Sequence, residues 1–372
     1  MNTRVQHVEV HRVLCSGPGD LSGVQALIAS GVLHPVDIVA VMGKTEGNGC
    51  VNDFTRDFAS TSWCYFLSPH LACTPAEVGQ RVALVMSGGT EGVLSPHWTV
   101  FSRRWVDAVP AQGKRLVVGV AHTRDFLPEE IGRAAQIACT AAAVRQAMQD
   151  AGIDEAADVH FVQIKCPLLT AAKVRAAQQR GAQTVTQDSY ESMGYSRGAS
   201  ALGVAVALGE VPPQTGVAAA VLADGSLYSA RASASAGIEL EGNVVIVLGE
   251  AEGAASPYRI AHTVMRDAVD AASVRQLLRS AFGMEGDGTS ALPGLVNLLA
   301  KAEASPDGLV RGLRHTMLND SDINATRHAR AAVGAVLASL VGSTALYVSG
   351  GAEHQGPAGG GPVAAIVRVG SA

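Results

Sequence analysis

Aromatic side chains are scarce in this chain of 372 residues: Phe, Trp and Tyr together make up 4%, and charged residues only 16%. With so few rings, the interior must be built from Ala, Val and Leu, and 41 glycines supply many tight turns. Basic runs are missing, and a formal net charge of −5 argues against nucleic acid or an anionic membrane as the main partner. Cys15, Cys50, Cys64, Cys73, Cys139 and Cys166 form no C-x-x-C pair, and H-E-x-x-H does not occur, so zinc chemistry is a poor expectation. The thiols read instead as reduced, buried residues of a cytoplasmic protein. The first 13 residues carry charges and no apolar stretch of a secretory signal. The longest uncharged run, 331–351, is broken by Gly334, Gly342 and Gly350, which predicts a buried helix followed by a strand rather than a membrane span.

What the chain does have is apolar substance, 48% of its residues, and internal repetition. Leu84-Val85-Met86-Ser87-Gly88-Gly89-Thr90-Glu91 recurs as Tyr347-Val348-Ser349-Gly350-Gly351-Ala352-Glu353, with a weaker copy at Ala232-Ser233-Ala234-Ser235-Ala236-Gly237-Ile238-Glu239. A common interval from serine to glutamate selects Ser235 as the middle counterpart, with Ser233 as the alternative. A second phrase is a strand ending on lysine: 37–44 closes on Lys44, 158–165 on Lys165, and, less clearly, 295–301 on Lys301. Between lysine and serine each copy places an arginine in a helix-opening context, namely Arg56, Arg197 and Arg327, with Asp or Asn as N-cap before the first and last. The intervals vary between copies, so a solenoid is excluded. The expected fold is α/β, three divergent modules around a pseudo-threefold axis, spanning 1–104, 112–250 and 256–372.

A serine hydroxyl becomes a nucleophile when a neighbouring base takes its proton, and a desolvated lysine can be that base. Backbone N–H groups at Gly88, Ala236 and Gly350 are placed to meet an oxyanion, and each arginine offers a planar fork to a carbonyl or anionic edge. Three such sets imply a pocket for a small flat ring with threefold polar edges. Lys44 has Glu46 two residues on and Lys301 has Glu303, whereas Lys165 lies between Ile164 and Cys166-Pro167 with no adjacent acid. Lys165 is therefore the lysine expected to be neutral. Gly194-Tyr195-Ser196-Arg197-Gly198 matches a nucleophile elbow in letters but lacks the apolar strand that must precede one.

At residues 39–49, 85–92, 191–198, 301–308 and 349–357 the chain resembles the cyanuric acid hydrolase/barbiturase family, nearer the former branch. The resemblance implies a central strand barrel with outer helices and hydrolytic opening of an s-triazine ring. The product would be carboxybiuret, which decays to biuret and CO₂. It implies Ser235 as nucleophile and Lys165 as base. Arg56, Arg197, Arg327, Ser87, Ser349, Lys44 and Lys301, with the backbone at Gly88, Ala236 and Gly350, would hold the ring. It also implies no organic cofactor, a cytoplasmic homotetramer, and a structural Mg²⁺ or Ca²⁺ on Glu303, Ala352, Gln355, Gly356, Pro357 and Gly360. The alternatives are a barbiturase opening a pyrimidine ring and a non-catalytic binder of a planar cyclic imide.

Overall fold

The computed structural model describes residues 3–108, 111–212, 216–286 and 288–369. Its first segment runs β1 (Thr3–Leu14), α1 (Ser22–Ala29), β2 (Ile38–Thr45), α2 (Phe54–Leu71), α3 (Pro75–Arg81), β3 (Ala83–Gly88) and β4 (His97–Ala108). The second runs β5 (Arg115–His122), α4 (Ala134–Ala151), β6 (Val159–Pro167), α5 (Ala171–Gln179), α6 (Ser189–Ala207), β7 (Ala232–Gly237) and β8 (Val244–Ala251). The third runs β9 (Tyr258–Met265), α7 (Ala271–Phe282), β10 (Leu295–Ala302), a small hairpin of β11 (Leu309–Val310) and β12 (Leu313–Arg314), α8 (Ala325–Val341), β13 (Tyr347–Gly350) and β14 (Gly361–Arg368). The stretch ending on Lys301 is thus a strand, like its two counterparts.

Each segment makes one four-stranded sheet with the same order: β1-β4-β2-β3, β5-β8-β6-β7 and β9-β14-β10-β13. In each, the last pair is parallel and the others antiparallel. Even the irregularities repeat, with a register shift at Ile38/Ala40, Val159/Phe161 and Leu295/Asn297. Three repeat-like modules follow from this common topology. The expected closed barrel does not: among the described residues the strands form separate sheets, and what unites them is side-chain packing. One shared core gathers Met42, Val85 and Phe101 from the first sheet, Phe161 and Ile246 from the second, and Leu299, Tyr347 and Ile366 from the third. Outer cores lie between each sheet and its own helices, as with Val41, Trp63 and Trp98. Strands covered on both faces explain the near-continuous apolar runs in β2, β6 and β10. Among the described residues no helix is long and apolar enough to cross a membrane.

Strand periodicity then fixes where the polar strand ends point. Ala40 and Met42 belong to the shared core and Val41 to the outer one, so Lys44 falls on the inner face. Phe161 and Leu299 place Lys165 and Lys301 there by the same count, and Val85 and Tyr347 do so for Ser87 and Ser349. In β7 the alanines Ala232, Ala234 and Ala236 pack outward, which turns Ser233 and Ser235 inward.

Candidate active site

The parallel pairs set lysine directly opposite serine in all three sheets: Lys44 faces Ser87, Lys165 faces Ser235 and Lys301 faces Ser349. Ser233 sits one layer deeper opposite Gln163, and its hydroxyl donates to Gln163 Oε1 at 2.7 Å. The three strand ends converge on a small cavity. Ser87, Gly88 and Arg56 line it from the first module, Ser235, Ala236 and Arg197 from the second, and Ser349 and Gly350 from the third. The third arginine of the cavity is Arg330, not Arg327. Arg327 stands one turn earlier on α8 with its side chain 37% exposed, and only its Nε reaches Glu91, at 3.2 Å.

Helix starts deliver the arginines from different depths. Asp53 caps α2 by accepting from Thr55 N, and Arg56 lies in the first turn. Asn324 caps α8 in the same way, and Arg330 lies deeper. Arg197 lies well inside α6, which begins after the cap Asp188, so the G-x-S-x-G letters belong to the middle of a helix. There Ser196 is fully buried and its hydroxyl accepts from Gln136 Nε2 at 2.9 Å, a structural role.

Two of the glutamates that follow the serines link neighbouring modules, and an arginine closes the ring between the first and second. Arg330 donates from Nε and Nη2 to Glu91 at 2.7 and 2.6 Å, joining the third module to the first. Arg197 does the same to Glu353 at 2.7 and 2.6 Å, joining the second to the third. These are bidentate, charge-assisted pairs, and removing one buried partner costs about 3–5 kcal/mol. Arg56 completes the ring differently. Its Nη1 donates to Ala236 O at 2.8 Å and its Nη2 to Cys50 O at 2.7 Å. Glu239 is left to pair with Lys165 instead, Nζ to Oε1 at 3.3 Å.

The three lysines, all essentially buried, therefore differ electrostatically. Lys44 donates to Ser87 Oγ and Gly88 O, both at 3.4 Å, and burial together with Arg330 drives its proton affinity far down. Lys301 donates to Ser349 Oγ at 3.2 Å, to Gly350 O at 3.0 Å and to Ala234 O at 2.9 Å, and burial together with Arg197 has the same effect. Lys165 donates to Met86 O at 2.7 Å, and burial lowers its pKa only to about 8 because Glu239 opposes the shift. The sequence expectation is reversed here: Lys165 is the lysine with an acid partner, while Glu46 points to solvent. Ser235 Oγ is buried and has no hydrogen-bond partner, unlike Ser87 and Ser349.

The residues given to a metal by resemblance also come together. Glu303 follows β10, and Ala352, Gln355, Gly356, Pro357 and Gly360 form the turn that precedes β14. Glu303 Oε2 accepts from Gly359 N at 3.3 Å, and burial plus the charge of Glu353 raise its pKa to about 7. The Gln355 side chain is occupied elsewhere, its Oε1 accepting from Ala234 N at 2.7 Å, which leaves backbone carbonyls as the turn's donors. Among the described residues no group of three His, Cys, Asp or Glu side chains forms a metal cluster. A half-buried carboxylate beside carbonyl oxygens suits a hard cation rather than a transition metal.

His11, His122 and His262, which recur at the module starts, do not line the cavity. Among the described residues all six cysteines are free, with Cys15 and Cys166 buried and the others half-buried.

A family model described as amidohydrolase ring-opening protein matches residues 9–368. The chain is 62% identical over 363 residues to a cyanuric acid amidohydrolase of Pseudomonas sp. (strain ADP), covering 97% of this chain and 99% of that one. A cyanuric acid amidohydrolase of Bradyrhizobium diazoefficiens is 61% identical over 368 residues, covering 98% and 99%. A solved cyanuric acid hydrolase superposes with a TM-score of 0.94 at 62% identity, covering 98% of this chain and all of that one.

Proposed function

The chain belongs to the ring-opening amidohydrolase family, and on that premise we propose that it hydrolyses cyanuric acid. The observation that carries the substrate is the convergence on one small cavity of three arginines and three serines, each serine set opposite a buried lysine. Cyanuric acid repeats a carbonyl and an N–H three times around a flat ring, so each module meets the same edge. Barbituric acid breaks that repetition with a methylene.

In this reading Ser235 is the nucleophile. Lys165 takes the proton from Oγ as Oγ bonds to a ring carbonyl carbon. The ring C–N bond then breaks, and the lysine ammonium returns the proton to the departing nitrogen. Water, deprotonated by the same lysine, cleaves the ester to give carboxybiuret, which decays to biuret and CO₂. A base acts best when its pKa lies near the working pH, which favours Lys165 over the two lysines whose proton affinity is driven far lower. Arg56, Arg197 and Arg330 hold ring oxygens, and the other two Lys–Ser pairs hold its remaining edges. Purified protein given cyanuric or barbituric acid separately, with products identified by mass, tests the reading. Biuret and CO₂ from the first substrate alone are expected, and opening of barbituric acid in its place would reassign the substrate.

Mg²⁺ or Ca²⁺ on Glu303 and the carbonyls of the Ala352–Gly360 turn would pin the chain that holds Glu353 against Arg197. Its contribution is structural charge neutralisation. We expect added cation to raise the melting temperature by roughly 2 °C or more, chelation to reverse this, and Glu303→Gln to abolish the response. A melting temperature indifferent to cation and chelator would remove the metal from this site.

A further inference from the structure

Threefold repetition makes a departure from it informative, and the cavity contains one. Two of the three glutamates that follow the serines are spent on arginines. The third, Glu239, is turned to Lys165, and beside that pair alone the serine hydroxyl is unbonded. The backbone is shaped for the turn. A Cβ at Gly237 would stand 2.2 Å from Glu239 Oε2; at the matching Gly89 it would meet Arg330 Nε and Glu91 Oε2, both at 2.6 Å, and at Gly351 Arg197 Cζ at 2.7 Å. An arginine thus stands against the glycine two residues after the serine in two modules, whereas in the middle module the nearest atoms are those of the carboxylate alone.

We propose that Glu239 is a positioning residue that completes a Ser235–Lys165–Glu239 relay, holding the lysine ammonium that forms when Nζ accepts the serine proton. This deepens the ring-opening reading and rests on it. As Oγ–H gives its proton to Nζ, the positive charge appears 3.3 Å from a buried carboxylate already in place. Charge that develops in the transition state next to a fixed opposite charge is stabilised with little reorganisation. The role matches that of the acid in a Ser-His-Asp triad, which steadies the base without taking its proton. Arg56 and Asp57 on α2 and Cys166 on β6 are the other titratable or charged groups around the pair, and Cys64 and Tyr65 line the groove that reaches Glu239. Arg56 opposes the ammonium, and its Nη1 and Nη2 are engaged by Ala236 and Cys50 carbonyls.

Glu239→Gln keeps the shape and removes the charge. Lys165 then holds its proton less well, so the acid limb of kcat/KM moves to lower pH, by about one unit, while plateau kcat falls at least about tenfold. KM stays within about threefold, since Glu239 does not line the cavity. Glu91→Gln and Glu353→Gln, which loosen arginines, are expected to raise KM and leave the limb in place. An unmoved limb in Glu239→Gln, or a loss confined to KM, overturns the proposal. If that variant is too impaired to titrate, Glu239→Asp decides: its carboxylate stands one methylene farther from Nζ, so the limb moves down by less, and no movement is again fatal. Wild-type protein that leaves cyanuric acid intact would instead sink the ring-opening reading itself, before any variant is compared.

Discussion

Lys165→Met ends ring opening and leaves ring binding in place. Methionine fills the buried volume of the lysine stem but accepts no proton, and general-base catalysis of this kind is worth about 10²–10⁴ in rate. The arginines and serines that line the cavity are untouched, so calorimetric titration with cyanuric acid should show affinity within a few-fold of wild type. The same substitution at Lys44 or Lys301 has a different signature. Those lysines hydrogen-bond Ser87 and Ser349, and their loss should appear mainly in KM. Because the base must be neutral to act, wild-type kcat/KM should rise with pH through the Lys165 ionisation at about 8. Turnover retained in Lys165→Met would falsify the assignment of the base.

The second large effect is at Ser235. Removing a covalent nucleophile costs about 10³-fold or more in kcat, roughly 4 kcal/mol of barrier, even where binding survives. Ser235→Ala is expected to reach that loss, whereas Ser87→Ala and Ser349→Ala each remove one ring contact, worth about 0.5–1.5 kcal/mol and visible as a modest rise in KM. All three serines are buried and each faces a lysine, so composition of the pairs does not distinguish them. What does is the state of the hydroxyl: Ser87 and Ser349 are held by their lysines, and Ser235 is free to turn toward a substrate carbon. Equal kcat losses in the three variants would dissolve that distinction.

Much of this site is legible in the chain because strands have a period of two. A repeated strand ending on lysine, and another ending on serine, fix which face each side chain occupies once one core residue is known. The constant interval from serine to glutamate selects Ser235 over Ser233, and the strand register agrees. The arginines are harder. An Asp/Asn-x-Thr-Arg phrase begins α2 and α8 alike, which aligns Arg327 with Arg56. Yet how far a helix slides along its sheet is set by packing, and on α8 the side chain that enters the cavity is one turn further in. A usable signal is present: three half-buried glutamates each demand a cation, and Arg330 is the one that answers Glu91 most closely. The acid partner of Lys165 was hidden for a related reason. Glu46 and Glu303 are near their lysines in sequence, but the chain leaves the inner face where the strand ends. Glu239 arrives from the turn that follows the neighbouring strand, a tertiary fact that no local pattern encodes. Separation of the strands into three sheets is likewise a matter of hydrogen-bond closure, which apolar periodicity does not report.

Ring opening on an enzyme expels no fragment, so an acyl-enzyme weighs the protein plus one whole cyanuric acid. Rapid acid quench during turnover, followed by digestion and peptide mass mapping, locates that added mass. On this account it lies on the peptide bearing Ser235 and disappears in Ser235→Ala. The same mass found on the peptide of Ser87 or Ser349, with Ser235 unmodified, would contradict it.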